Sequence, residues 1–294
     1  MTPGASRIRL ADMSILVFGN GWIGNRFIER YPEARMSTVF AKSPEDIEQV
    51  LDTEDPDAVL NCAGIVGKPN VDWCETHQVE TAVGNTMLPI MLAQACAQRG
   101  IHLTHLGSGC IFYGDSPKPG GWREDDHSNP LAYYSKTKAA ADLVLGSMPN
   151  VAVVRLRVPM DSTPSPRNTI TKLMSYPKVI DVSNSVTVMD DLMDVFYKII
   201  EKRATGIFHA VNPEPLKYRD LVRWYEEIVD PNHKNEWITE DELVAQGIAA
   251  KKRSTNILAN LRLPEIGIHM RPTEEAIKDV LKAYAEKMNV INNK

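Results

Sequence analysis

The stretch Ile15-Leu-Val-Phe-Gly-Asn-Gly-Trp-Ile-Gly-Asn-Arg-Phe27 decides the fold. Four apolar residues without interruption read as a strand covered on both faces. Gly19, Gly21 and Gly24 then give G-x-G-x-x-G, and Trp22, Ile23 and Phe27 recur at helical spacing. Three glycines in six residues also occur in ordinary loops, so the flanks carry the reading. Between a strand and a helix, the glycines supply a tight turn, a close backbone approach to a pyrophosphate and close helix-strand packing. The phosphates of a dinucleotide would lie against the helix N-terminus, with Gly19, Asn20, Gly21, Trp22, Ile23 and Gly24 lining the cofactor.

The 294 residues, 43% hydrophobic, suffice for a nucleotide domain with a smaller partner, and the net charge of -5 offers no basic stripe for nucleic acid. Cys62, Cys74, Cys96 and Cys110 have neither metal spacing nor the density of a disulfide scaffold, which predicts a reducing, cytoplasmic setting and no metal. No apolar run approaches the ~18 residues that cross a bilayer, so no membrane partner is expected, and residues 1–12 read as a loose tail.

Met36 to Phe40 is the expected second strand. An acid about 20 residues past the glycine turn would hold the ribose 2'-hydroxyl of NAD; position 39 is Val39, and Lys42 and Ser43 stand close by to face a 2'-phosphate. NADPH is the expected cofactor, with NADH the alternative. Ser43-Pro44-Glu45-Asp46 reads as a capped helix start whose helix ends near Leu51. Ala58 to Asn61 gives a further strand, followed by Cys62, Ala63 and Gly64, small enough for a cofactor to pass; a plain strand-to-loop turn is the alternative.

Asn85 to Arg99 reads as a helix closed by Gly100, with strand Ile101 to Leu106 directly after it. Strands alternating with helices predict an α/β fold with a Rossmann-like, doubly wound parallel sheet, its ligand beyond the carboxyl ends of the strands. Ser108 follows one such end, and Tyr134 and Lys138 lie four apart in a helical segment, on one face. A cation there favours the phenolate that a general acid/base needs, and Ser108 can bond a carbonyl oxygen. A lone Tyr-x-x-x-Lys is common on helix surfaces; here the glycine turn and Ser108 accompany it.

These residues resemble the extended short-chain dehydrogenase/reductases. Within them, the sequence is similar to the dTDP-4-dehydrorhamnose reductase group, above all the bifunctional nucleotide-rhamnose synthase epimerase/reductases. Gly21-Trp-Ile-Gly24, Gly67-Lys-Pro-Asn-Val-Asp-Trp-Cys-Glu75, Gly109-Cys-Ile-Phe112, Tyr134-Ser-Lys-Thr-Lys138 and Pro166-Arg-Asn-Thr-Ile-Thr-Lys172 carry the resemblance, over about residues 14 to 260. It implies NADPH-dependent reduction of a UDP- or dTDP-linked 4-keto-6-deoxyhexose. Tyr134 would protonate the C4 oxygen, Ser108 bond it, and Lys138 hold the nicotinamide ribose. It also implies 3,5-epimerisation with Cys110 as base and Lys172 as acid, although a cysteine more often packs as a small hydrophobe.

Substrate contacts are expected from Lys68, Asn70, Arg167, Asn168 and Arg253, the last within an Arg-Ser-Thr-Asn string shared with that group. An arginine in a polar loop is more often merely solvated. The division expected is a Rossmann domain over 13–160 and a smaller substrate domain over 161–294, with some segments returning to the large sheet. Another sugar-nucleotide epimerase or dehydratase and a non-catalytic regulatory homologue are the alternatives; the absence of an acid before Asp115 speaks against dehydration, and retention of Ser108, Tyr134 and Lys138 against the regulator. A homodimer through the helix at 85–99 and the one bearing Tyr134 is a further expectation, with Met87, Met91 and the alanines at 139–141 as its seam.

Overall fold

The computed structural model describes residues 13–41, 43–68, 70–248 and 255–292. The tail expected at 1–12, Lys42 and Arg253 lie outside the described residues. The chain divides into two compact units, Met1–Gly107 with Ala132–Val154 and Phe196–Ile207, and Ser108–Leu131 with Arg155–Val195 and Phe208–Lys294. The chain thus passes repeatedly between units; the sequence reading sets its boundary at 160, with some later segments returning to the large sheet.

The first unit begins β1 (Ile15–Phe18), α1 (Trp22–Arg30), β2 (Arg35–Met36), α2 (Pro44–Glu54) and β3 (Ala58–Asn61). After a short 3-10 turn come α3 (Gln78–Ala82), one π-helical turn at Val83–Met87, α4 (Leu88–Gln98) and β4 (His102–Ser108). α5 (Tyr133–Leu145) and β5 (Val151–Leu156) follow. The sheet order is Gly206–Ala210, β5, β4, β3, β1, β2. β1 pairs in parallel with β2 on one side and β3 on the other, so the winding reverses beside β1, the position beyond the strand ends where open α/β sheets bind ligands. Leu16, Phe18, Val59, Leu103 and Val153 of the strands bury against Ile47, Leu51, Leu92 and Leu145 of the helices. Each such large side chain contributes about 1.5–3 kcal/mol.

Several elements differ from the sequence reading: the helix from Pro44 runs on to Glu54, the strand expected at Ile101 to Leu106 spans His102–Ser108, and two further differences have a physical cause. The second strand stops at Met36, because the apolar Val39 and Phe40 stand in solvent, Phe40 80% exposed. The helix expected from Asn85 starts earlier, at Gln78, and is interrupted by the π turn. Pro89 explains the interruption, since without an N–H it cannot bond the carbonyl four residues back, at Asn85.

In the second unit, Pro159–Met160 pairs in parallel with Thr187–Val188, Lys178–Ile180 with Glu236–Ile238, and Ser183–Asn184 runs antiparallel to Leu216–Lys217. Its core joins Met160, Ile170, Val188, Leu221 and Trp224 to Ile277 and Leu281 of the last helix, Thr273–Asn292. Among the described residues no helix is long and apolar enough to cross a membrane.

Candidate active site

The glycine turn is built by contact rather than by flexibility alone. Gly19 has φ +101°, and a Cβ there would lie 2.4 Å from the Ala63 nitrogen and 2.5 Å from the Cys62 carbonyl carbon. A Cβ on Gly24 would meet the Gly19 oxygen at 2.2 Å. Gly19, Gly24, Cys62 and Ala63 therefore form one close-packed floor where β1 and β3 end, and Gly64 follows, exposed. Gly21 caps α1 without a side-chain bond, and the first turn carries no acid. Its amides are left to an anion, which fits a dinucleotide pyrophosphate. Trp22 and Ile23 are half-buried on that turn, and exposed Asn20 accepts a bond from Asn25. Ser43 completes a capping box with Asp46, so its hydroxyl oxygen is engaged at α2.

α5 carries Tyr134 and Lys138, and its start is held from a distance. Ala132 gives no side-chain cap; instead Glu75 Oε1 accepts from the Tyr133 N–H at 2.9 Å, placing a carboxylate at the helix N-terminus. Thr137 Oγ1 donates to the Tyr134 carbonyl at 2.8 Å, and Thr86 Oγ1 bonds the Thr137 carbonyl at 2.7 Å. Asn85, in the π turn, donates to Thr137 Oγ1 at 3.3 Å and pairs with both backbone groups of Ile65 at 2.8 Å. Tyr134 is partly exposed, whereas Lys138 is only 4% exposed.

Lys138 Nζ donates to the Leu106 carbonyl at 2.7 Å and lies 3.1 Å from His105 Nε2. Burial pushes the lysine down to about 8, against the pull of Asp142 and Cys62 toward the charged form. His105 is held well below its ordinary value, by burial and then by Lys138, and is neutral. Cys62, partly exposed as a residue but with a desolvated thiol, is pushed up to about 12, with Lys138 opposing.

Ser108 and Cys110 open the second unit. β4 ends at Ser108 and the chain turns into a 3-10 helix over Gly109–Ile111, so strand alternation does not set the direction of Cys110 relative to Ser108. Ser108 Oγ caps that turn, accepting the Cys110 N–H at 3.2 Å. Cys110 is partly exposed, and Arg157 Nη1 donates to its Sγ at 3.1 Å, while Nη2 donates to Asn184 Oδ1 at 3.0 Å. Asn184 also accepts the Asn256 N–H, and Asn256 Nδ2 donates to the carbonyls of Gly109 and Phe112. The end of the Arg-Ser-Thr-Asn string thus clamps the cysteine turn.

The remaining candidates separate. Lys68, Asn70 and Arg167 are exposed, Asn70 Oδ1 capping the turn Val71–Glu75 through the Asp72 N–H. Asn168 is 0% exposed, its amide spent on Asp161, Thr163 and Ile170, which makes it a pin of the 161–168 loop rather than a surface for substrate. Lys172 is exposed on helix Thr169–Ser175. Sequence reasoning missed Glu75 as a cap, Asn61, His105, Asn85, Arg157 and Asn184. A buried-strand position held by His105 was the one visible signal among them.

The model of the RmlD substrate binding domain matches residues 13–286. A bifunctional dTDP-4-dehydrorhamnose 3,5-epimerase/dTDP-4-dehydrorhamnose reductase of Arabidopsis thaliana is 32% identical over 294 residues, 96% of this chain and 97% of that protein. A trifunctional UDP-glucose 4,6-dehydratase/UDP-4-keto-6-deoxy-D-glucose 3,5-epimerase/UDP-4-keto-L-rhamnose-reductase of the same plant is 31% identical over 93% of this chain, which spans 42% of its length. The crystal structure of the L780 UDP-rhamnose synthase from Acanthamoeba polyphaga mimivirus superposes with TM-score 0.86 at 28% identity, covering 92% of this chain and 99% of that one. The chain belongs to the RmlD substrate binding domain family.

Proposed function

We propose that the protein reduces a nucleotide-linked 4-keto-6-deoxyhexose at C4 and inverts C3 and C5 before that reduction. The observation that carries the reductase reading is Lys138, buried one helical turn beyond a partly exposed tyrosine on a helix whose start is fixed by Glu75.

NADPH is the cofactor of this family, and when bound it supplies the hydride for C4. Gly19, Gly21 and Gly24 with the open α1 N-terminus hold its pyrophosphate, and Asn20, Trp22, Ile23, Cys62, Ala63 and Gly64 border it. Lys42 and Ser43 would serve the 2'-phosphate, since no acid stands at position 39 to hold a ribose 2'-hydroxyl. Tyr134 donates its phenolic proton to the C4 oxygen, Ser108 bonds that oxygen, and Lys138 binds the ribose and supports the tyrosine. A positioned proton donor of this kind contributes about 10²–10⁴ in rate.

For epimerisation, Cys110 removes the protons beside the 4-ketone and Lys172 returns a proton on the opposite face. The Arg157 N–H aimed at Sγ supports this reading, because a charge-assisted hydrogen bond to a thiolate is stronger than one to a thiol. Lys68, Asn70, Arg167 and Arg253 are proposed to bind the nucleotide. The four unpaired cysteines support a cytoplasmic setting. A homodimer is proposed through α3, the π turn after it and α5, where Val79, Val83, Met87, Leu143 and Val144 are exposed, a seam shifted from the alanines at 139–141. Light scattering at micromolar concentration should read twice 32.8 kDa; a monomer refutes it.

The test of the reductase reading is NADPH oxidation with the 4-keto-6-deoxy sugar nucleotide. Wild type turns over and prefers NADPH to NADH, and Tyr134→Phe loses at least about 10²-fold in kcat while keeping its NADPH affinity. Wild-type-like turnover by Tyr134→Phe contradicts it.

A further inference from the structure

Asn61 and His105, which the chemistry above leaves unused, form a buried side-chain relay ending on Lys138. Ala63 N–H donates to Asn61 Oδ1 at 3.0 Å, Asn61 Nδ2 lies 3.0 Å from His105 Nδ1, and His105 Nε2 lies 3.1 Å from Lys138 Nζ. Asn61 and His105 are fully buried. Hydrogen positions in such a chain follow from satisfying its members.

The Ala63 amide fixes the direction. Asn61 offers its oxygen to that N–H, so its NH₂ faces His105, and Nδ1 must accept. Rotating the Asn61 amide would set its NH₂ against the Ala63 N–H, donor against donor, at a fully buried position where an unmet group costs about 1–3 kcal/mol. A neutral imidazole that accepts at Nδ1 carries its proton at Nε2. That proton points at Lys138 Nζ, which meets it with a lone pair as an amine and opposes it as an ammonium.

We propose that His105, oriented by Asn61, is a positioning residue for the reduction: its Nε2–H lowers the pH at which Lys138 gives up its proton. The inference rests on the reductase reading only for its effect on rate. The groups facing Nζ are His105 and the Leu106 carbonyl from β4, Cys62 after β3, and Asp142 on α5 one turn beyond the lysine. Asp142 and Cys62 favour the charged form and burial opposes it; the His105 Nε2–H, 3.1 Å from Nζ, adds to the side of burial. Asp and Asn at position 61 have nearly the same shape, which makes the polarity of the chain reversible. In Asn61→Asp the carboxylate still accepts from the Ala63 N–H but also accepts a hydrogen bond from a protonated Nδ1, leaving Nε2 as an acceptor for the ammonium.

The test has two arms. In the first, long-range ¹H–¹⁵N spectra of the wild-type protein at pH 7.5, without cofactor or substrate, should show His105 with a pyridine-like Nδ1 and a protonated Nε2. The reverse tautomer, or an imidazolium, overturns the proposal, and this arm holds even if no sugar nucleotide is reduced. In the second, the basic limb of the kcat–pH profile should move up by about one pH unit or more in Asn61→Asp and in His105→Gln, whose carbonyl can accept from the ammonium. A folded variant with reduced kcat but an unmoved limb shows a merely structural role and overturns it.

Discussion

Two buried cations, Lys138 in the first unit and Arg157 in the second, meet their surroundings differently. Lys138 is 4% exposed beside a histidine, a backbone carbonyl and a thiol. Arg157 is 5% exposed and spends its two terminal nitrogens on a thiol and an amide oxygen. A lysine answers burial by giving up its proton, whereas a guanidinium keeps its charge and must be hydrogen-bonded instead. The first unit therefore holds a cation that can change state during proton transfer, and the second a fixed positive charge beside a sulfur.

Removing the fixed charge breaks the comparison most severely. Arg157→Met should slow exchange of the sugar C3 and C5 protons by about 10²-fold while NADPH affinity stays within a few-fold, since a charge-assisted hydrogen bond of about 1.5–3 kcal/mol is lost at the sulfur. Exchange at the wild-type rate, measured by proton NMR in D₂O, would make Arg157 a packing residue only.

A smaller effect sharpens the lysine side. Lys138 titrates near 10.5 when unfolded and about 8 when folded, so between those values the unfolded chain binds more protons and stability rises with pH. The cost of burying the charge is fully present below about pH 8 and relieved by about pH 10.5. Relative to Lys138→Met, wild type should therefore gain roughly 2–3 kcal/mol across that window in denaturant melts. A pH-independent difference between the two proteins contradicts the buried, titrating lysine.

How much of this was legible in the sequence follows from what each feature depends on. The glycine turn, the Ser43–Asp46 capping box and strand Ala58–Asn61 are local and emerged as read. The doubly wound sheet followed from alternation alone. Phe40 misled because an apolar residue signals a strand only if something covers it, and nothing in the described residues does so fully. The π turn was hidden because Asn85 gains its role from Ile65 and Thr137, distant in sequence. Arg157 and Asn184 were invisible for the same reason, and Asn256 stood out only as the end of the Arg-Ser-Thr-Asn string, its hold on the cysteine turn hidden because these residues join segments 27 to 147 residues apart. Asn168 had the right residue type for a ligand contact, but a short loop consumed all its bonds.

The most direct test of the central claim is to incubate the 4-keto-6-deoxy sugar nucleotide with the protein in D₂O without NADPH, and follow C3 and C5 by proton NMR. Wild type should replace both protons by deuterium, and Cys110→Ala should replace neither while still oxidising NADPH when offered the already epimerised sugar. Exchange by Cys110→Ala at the wild-type rate, or no exchange by wild type, would contradict the account.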